Sequence, residues 1–167
     1  DEEQLENKKI GVILGKAETE ESVDRIAGLK DGLEGSGCEI LWEYNYARGN
    51  QNTSEIIASK KQVDYLVILD NWALEEVGEA AEENKYHGAK IYGVGSSEKA
   101  IVLLDNQNIE CLVVPDDYET GYMSMNEIAK KLRHSFYKMN SCETEVRIIN
   151  KEDLYSKDLE RFLYSYE

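Results

Sequence analysis

Five times along the chain a short apolar run is followed by a polar segment with helical spacing, and this alternation restricts the fold more than any other feature. The run KKIGVILG (Lys8–Gly15) is apolar on consecutive positions, as a strand covered on both faces must be. In ESVDRIAGLKDGLEGSG, Val23, Ile26, Ala27 and Leu33 fall at helical intervals, with Ser22 as the expected N-cap and Gly35 and Gly37 as stops. Strands are then expected at 38–44, 63–70, 89–95 and 109–115, and helices at 53–61, 73–88, 97–107 and 121–139. Strict strand–helix alternation implies right-handed crossovers. The expected fold class is therefore α/β: a three-layer αβα, doubly wound, mostly parallel sheet, Rossmann-like in its winding. A last alternating strand, TEVRIIN (144–150), leads into a charged aromatic tail. The expected division is a polar leader over 1–7, an α/β lobe over 8–140, and a C-terminal strand and tail over 141–167.

A length of 167 residues with 41% hydrophobic content suits one domain with a real core. The formal charge of −15 comes from acidic residues scattered along the chain, leaving no basic face for a nucleic-acid backbone or an anionic membrane. No stretch approaches the roughly 20 apolar residues of a membrane span, so the chain as given is expected to be soluble. Its start at Asp1 rather than Met is read as loss of an upstream segment. Cys38, Cys111 and Cys142 are odd in number and lack metal-ligand spacing. Cys38 and Cys111 adjoin apolar runs and are expected as buried free thiols.

Open parallel sheets bind ligands beyond the carboxyl ends of their strands. Five loops qualify: 16–21, 45–53, 70–72, 95–97 and 115–118. Pro115, the single proline, is expected to end strand pairing at that edge. Chemistry at these loops is poorly supported. GVGSSEKA offers two glycines but not the third of a dinucleotide fingerprint, and a phosphate at Ser96 and Ser97 rests only on a helix N-terminus. A phosphoacceptor reading of Asp70 lacks an acidic pair after the first strand, where GKAE stands, and a lysine after the fifth. Asp116 and Asp117 are expected as a solvated turn rather than a cation site, and His87 and His134 as isolated surface residues. The expectation is no catalytic residue, no metal and no cofactor.

The segments RIAGLKDGLEGSGCEI, VDYLVILDNWALEEVGEAAEENKYHGAKIYGVGSS and NIECLVVPDDYETGYMSMNEIAKKL resemble, in order and spacing, the C-terminal lobe of the type 1 periplasmic-binding-protein family. That family includes ribose- and galactose-binding proteins and the effector domains of LacI-type repressors. Arg25 and Gly28, Asp70 and Ala73, Gly93, and Gly121 stand at the matching places, and the tail is similar to the ends of membrane-tethered solute-binding proteins. The resemblance implies half of a clamshell that closes on a sugar. A second lobe would be encoded upstream, removed or never present. Where the family places a sugar-binding carboxylate, an Arg and an amide, this chain has Gly95, Val23 and Leu69.

The polar set that remains for a ligand is Lys16, Glu18, Asp70, Asn71, Ser96, Ser97, Asp116 and Asp117, with Trp72 or Tyr118 to stack on an apolar ligand face. Asp70 reads equally as a helix cap and Trp72 as packing. The function implied is non-catalytic capture of a small polar solute, sugar or sugar-like, for an ABC transporter or a membrane sensor. The alternative is a protein-interaction or sensor domain with a degenerate ligand site. Expected partners are the solute, a second lobe or membrane transporter, and no nucleic acid, with a homodimer through the hinge or tail as a further expectation. The expected location is extracytoplasmic, membrane-anchored or periplasmic.

Overall fold

A computed structural model of the chain describes residues 6–16, 19–49, 52–81 and 85–163. Six strands form one sheet in the order β2-β1-β3-β4-β5-β6: β1 Lys9–Leu14, β2 Glu39–Asn45, β3 Tyr65–Ile68, β4 Lys90–Val94, β5 Cys111–Pro115 and β6 Val146–Ile149. The first five are parallel, and β6 runs antiparallel to β5. The helices are α1 Glu20–Leu33, α2 Thr53–Ala58, α3 Asn71–Ala80, α4 Glu98–Asp105, α5 Asp117–Arg133 and α6 Glu160–Leu163, with a 3-10 turn at Lys151–Tyr155.

The sheet is buried from two sides, as the apolar runs require. On one face Ile13, Leu66, Ile68, Ile91, Leu112 and Val114 meet Ala73, Leu74 and Val77 of α3 and Ala100, Ile101 and Leu104 of α4. On the other, Ile10, Val12, Leu14, Tyr65 and Leu69 meet Ile26, Leu29 and Leu33 of α1. Full burial of such side chains contributes roughly 1.5–3 kcal/mol each. Gly93 has no room for a side chain because a Cβ would lie 2.8 Å from Leu74 Cδ2, so α3 lies close over β4.

Helix ends differ from the sequence reading. Helix α3 spans Asn71–Ala80 rather than 73–88, because Asp70 caps its start and residues 85–88 form a turn instead of a last helical segment closed by Gly88. Thr19, not Ser22, caps α1: its hydroxyl accepts the Ser22 N–H at 3.2 Å. Helix α5 begins four residues before Gly121 because the Asp116 carboxylate caps it, and it stops at Arg133 rather than 139. The stop has a local cause, since the Glu127 carboxylate accepts from the Asn140 N–H (2.9 Å), the Tyr137 hydroxyl (3.0 Å) and Lys130 (2.7 Å), folding 134–140 back along the helix. Gly35 and Gly37 do terminate the first helical segment, at φ 76° and 75°.

Pro115 does not end pairing. It stands opposite Val146, and beyond it the Asp116 N–H donates to the Glu145 carbonyl at 3.0 Å. An antiparallel partner allows this, because only alternate residues of β5 must donate toward β6. Past β6, Leu154, Phe162 and Leu163 are buried in the larger core. Leu154, Phe162 and Leu163 of the described tail are thus covered by this lobe, whereas Tyr155 is exposed. No disulfide joins the three cysteines: Cys111 is buried as expected, Cys38 is only half-buried because it stands just before the edge strand β2, and Cys142 is exposed.

Candidate functional site

The carboxyl ends of the five parallel strands place their loops in a row, ordered β2, β1, β3, β4, β5. At the centre, Asp70 opens α3: its Oδ1 accepts the Ala73 N–H at 2.9 Å. Its Oδ2 lies over Gly15, where a Cβ would come within 2.9 Å of it. Lys16 is exposed beside that contact, and Glu18 lies outside the described residues. From α1, Arg25 donates to the Leu69 carbonyl at 2.7 Å and pairs with Glu21 at 2.5 Å. The guanidinium therefore reaches the end of β3, where Leu69 offers no side-chain polarity.

The β2 loop supplies two groups absent from the sequence-derived set. Tyr46 is buried, and its backbone N–H donates to the Leu14 carbonyl at 2.8 Å. Its hydroxyl meets Glu76 of α3; burial first, then the Glu76 and Asp70 charges, push it up to about 12 against the opposing pull of Arg48. The Arg48 guanidinium lies 3.7 Å from the centroid of the Trp72 ring. That indole is 47% exposed, so it serves as an edge platform rather than core packing. Only the position of loop 45–53 at the ligand edge pointed to these residues, and no spacing singled out Arg48.

Asn71 and the β4 turn form the next part of the row. The Asn71 amide donates to Glu75 Oε1 at 2.9 Å, which turns Oδ1 the other way. Oδ1 is buried without a hydrogen-bond donor and fills the space above Gly95, where a Cβ would collide with it. Ser96 donates to Asp117 Oδ2 at 3.1 Å, and Ser97 caps α4 by accepting the Ala100 N–H at 3.2 Å. A carboxylate on the Ser96 hydroxyl repels a phosphate, so this turn is not an anion cradle. Asp116 is 1% exposed, its Oδ1 accepting the Glu119 N–H at 2.8 Å.

All nine described residues of the predicted set stand on the one edge, but their roles divide: Asp117 accepts from Ser96 and Tyr118 stacks on Tyr122. Asp70, Ser97 and Asp116 are helix caps, whereas Trp72, Asn71, Ser96 and Lys16 keep a side chain or a polar atom uncommitted to a helix end. Among the described residues no group of three His, Cys, Asp or Glu side chains is placed to hold a metal ion.

A single α/β lobe with its polar row at the carboxyl edge is one lobe of the type 1 periplasmic-binding-protein fold. The family described as "Periplasmic binding protein domain" matches residues 2–135, and the chain belongs to it. Among solved structures, a carbohydrate-transporter solute-binding protein from Agrobacterium radiobacter in complex with D-arabinose is similar, with TM-score 0.80 and 19% identity over 95% of this chain and 56% of that one. An ABC-transporter solute-binding protein from Agrobacterium vitis with bound D-fucose gives 0.81 and 17%, over 95% and 57%. GanP, a glucose-galactose binding protein from Geobacillus stearothermophilus, gives 0.77 and 19%, over 89% and 55%. The chain thus spans little more than half the length of these relatives. No curated protein sequence matches it. Among the described residues no helix is long and apolar enough to cross a membrane.

Proposed function

We propose that the chain is one lobe of a solute-binding protein that captures a small polar solute, sugar or sugar-like, without a chemical step. A second lobe would close over the row of loops, and the loaded protein, extracytoplasmic and either membrane-anchored or periplasmic, would deliver its solute to an ABC transporter or a membrane sensor. The observation that carries this reading is the half-exposed Trp72 ring at the ligand edge, flanked by Asp70, Asn71 and Ser96. An aromatic face beside hydroxyl and amide groups suits a ring with one apolar face and a rim of hydroxyls. The three structural relatives, two bound to monosaccharides and one described as a glucose-galactose binder, support the same ligand class.

A lone lobe encloses half a ligand, so weak binding is expected. Two-dimensional amide NMR of the labelled chain, titrated with D-arabinose, D-fucose and D-galactose to high millimolar concentration, tests the reading. Shifts confined to residues 46–48, 70–72 and 95–97, and lost in Trp72→Ala, are expected. Unmoved spectra with all three sugars overturn it.

A protein-interaction or sensor domain with a degenerate site is the second reading. The specific observation in its favour is that Arg48 already covers the Trp72 ring and Gly95 supplies no carboxylate.

A further inference from the structure

Helix α5 faces outward with its apolar side. Tyr118, Tyr122, Met125 and Leu132 are exposed by 65%, 60%, 64% and 81%, and with half-buried Ala129 they recur at alternating intervals of four and three residues, the spacing of a coiled-coil seam. The inward side is polar: the helix buries only Glu127, held by Lys130, Tyr137 and Asn140. Segment 134–140 folds along that polar side through these bonds and leaves the stripe uncovered. Tyr118 and Tyr122 are already stacked, with ring centroids 6.4 Å apart and planes at 9°.

We infer that α5 packs antiparallel against α5 of a second copy of this chain. The charges on the helix select that occupant and that direction. Asp117 and Glu119 stand in the first turn, and Lys130, Lys131 and Arg133 in the last. A two-fold axis beside Asn126 brings each acidic start against the partner's basic end, with Glu119 opposite Arg133 of the second copy. The same axis sets Tyr122 opposite Leu132, Met125 opposite the small Ala129, and the exposed Ile128 opposite its own copy. The contact is isologous and closes on itself as a dimer. The stripe from Tyr118 to Leu132 runs about 21 Å along the helix. One helix pair covers less than the roughly 800 Å² per partner of a standard interface, and the −15 charge on each copy opposes association. The dimer is therefore of micromolar, not nanomolar, stability.

Sedimentation equilibrium of the full chain at physiological salt, from low to high micromolar, reads it directly. The chain is expected to pass from monomer to dimer, and Met125→Glu with Leu132→Glu to stay monomeric with unchanged far-ultraviolet circular dichroism. Arg133→Glu should weaken the dimer at least tenfold, beyond the effect of the same charge change at Lys138, and Glu119→Arg added to it should restore association. A chain that stays monomeric throughout, a dimer indifferent to the stripe, or a charge swap that restores nothing overturns the pairing.

Discussion

Placing any side chain at Gly95 should destabilise the lobe, and the cost should trace to Asn71. A Cβ built there collides with Asn71 Oδ1 and comes within 3.3 Å of Asn71 Cγ and 3.2 Å of Leu74 Cδ2. Neither neighbour yields freely. The Asn71 amide is tied to Glu75 at 2.9 Å, and Leu74 is fully buried in the larger core. Overpacking of this kind costs about 1–3 kcal/mol, which for a chain of this length lowers Tm by roughly 2–12 °C at about 2–4 °C per kcal/mol. Urea denaturation of Gly95→Ala, Asn71→Ala and the double variant measures the effect as a cycle. With Asn71 truncated, only the Leu74 contact remains, so the cost of Gly95→Ala should fall below about 1 kcal/mol, the coupling expected of residues in direct contact. Equal costs in both backgrounds would refute the reasoning, because they would assign the intolerance of Gly95 to something other than the Asn71 amide.

Three further outcomes are expected. Asp70→Ala should cost about 1 kcal/mol in thermal denaturation through loss of the α3 cap, whereas Asp70→Asn keeps an acceptor for the Ala73 N–H and should cost a few tenths; loss of sugar-induced NMR shifts in both variants separates a ligand role from the cap. Glu127, held down to about 2 by the Asn140 N–H, Lys130 and Tyr137, adds stability that is present above the ordinary carboxylate value of about 4.3 and lost as pH falls through about 2. Glu127→Gln should flatten the acid limb of a pH–stability curve over that window. Tyr46, pushed up to about 12 by burial and by Glu76, adds stability that is whole below the ordinary phenol value of about 10 and lost as pH rises through about 12, so Tyr46→Phe should abolish that alkaline loss in urea midpoints.

The central strands β1, β3, β4 and β5 were legible because they run through the covered middle of the sheet, so their apolar runs have no competing reading; Val12, Ile13 and Ile68 are fully buried as such runs require, whereas the edge strands β2 and β6 are largely open and β6 was legible from its alternation. Helix ends were less legible, because a cap is decided by backbone direction. Thr19 and Ser22 are chemically equivalent candidates, and only the extended conformation of Thr19 settles which one accepts. The end of α5 depended on Glu127 reaching Asn140, thirteen residues away, a contact with no local signature. The carboxyl edge of the sheet followed from strand–helix alternation alone, which is why all nine described residues of the predicted set fall on it. Arg48 and Tyr46 were missed because their roles come from α3, through Trp72 and Glu76.

Gly95 is where those two kinds of information meet. By sequence the position lacks the carboxylate that the family resemblance implies, and the site looks emptied. In the folded lobe the neighbouring strand's helix fills the vacancy: Asn71 at the start of α3 places Oδ1 over Gly95, with the Glu75 bond fixing which way the amide faces. A buried acceptor left without a donor costs about 1–3 kcal/mol, and a ligand hydroxyl or amine reaching it would recover that cost. On the proposed reading, the acceptor at this position is a neutral amide on α3 in place of the carboxylate that the resemblance implies after β4. A neutral amide still accepts from a sugar hydroxyl but holds it less strongly than a carboxylate does, so on the proposed reading the site favours solutes that also stack on Trp72.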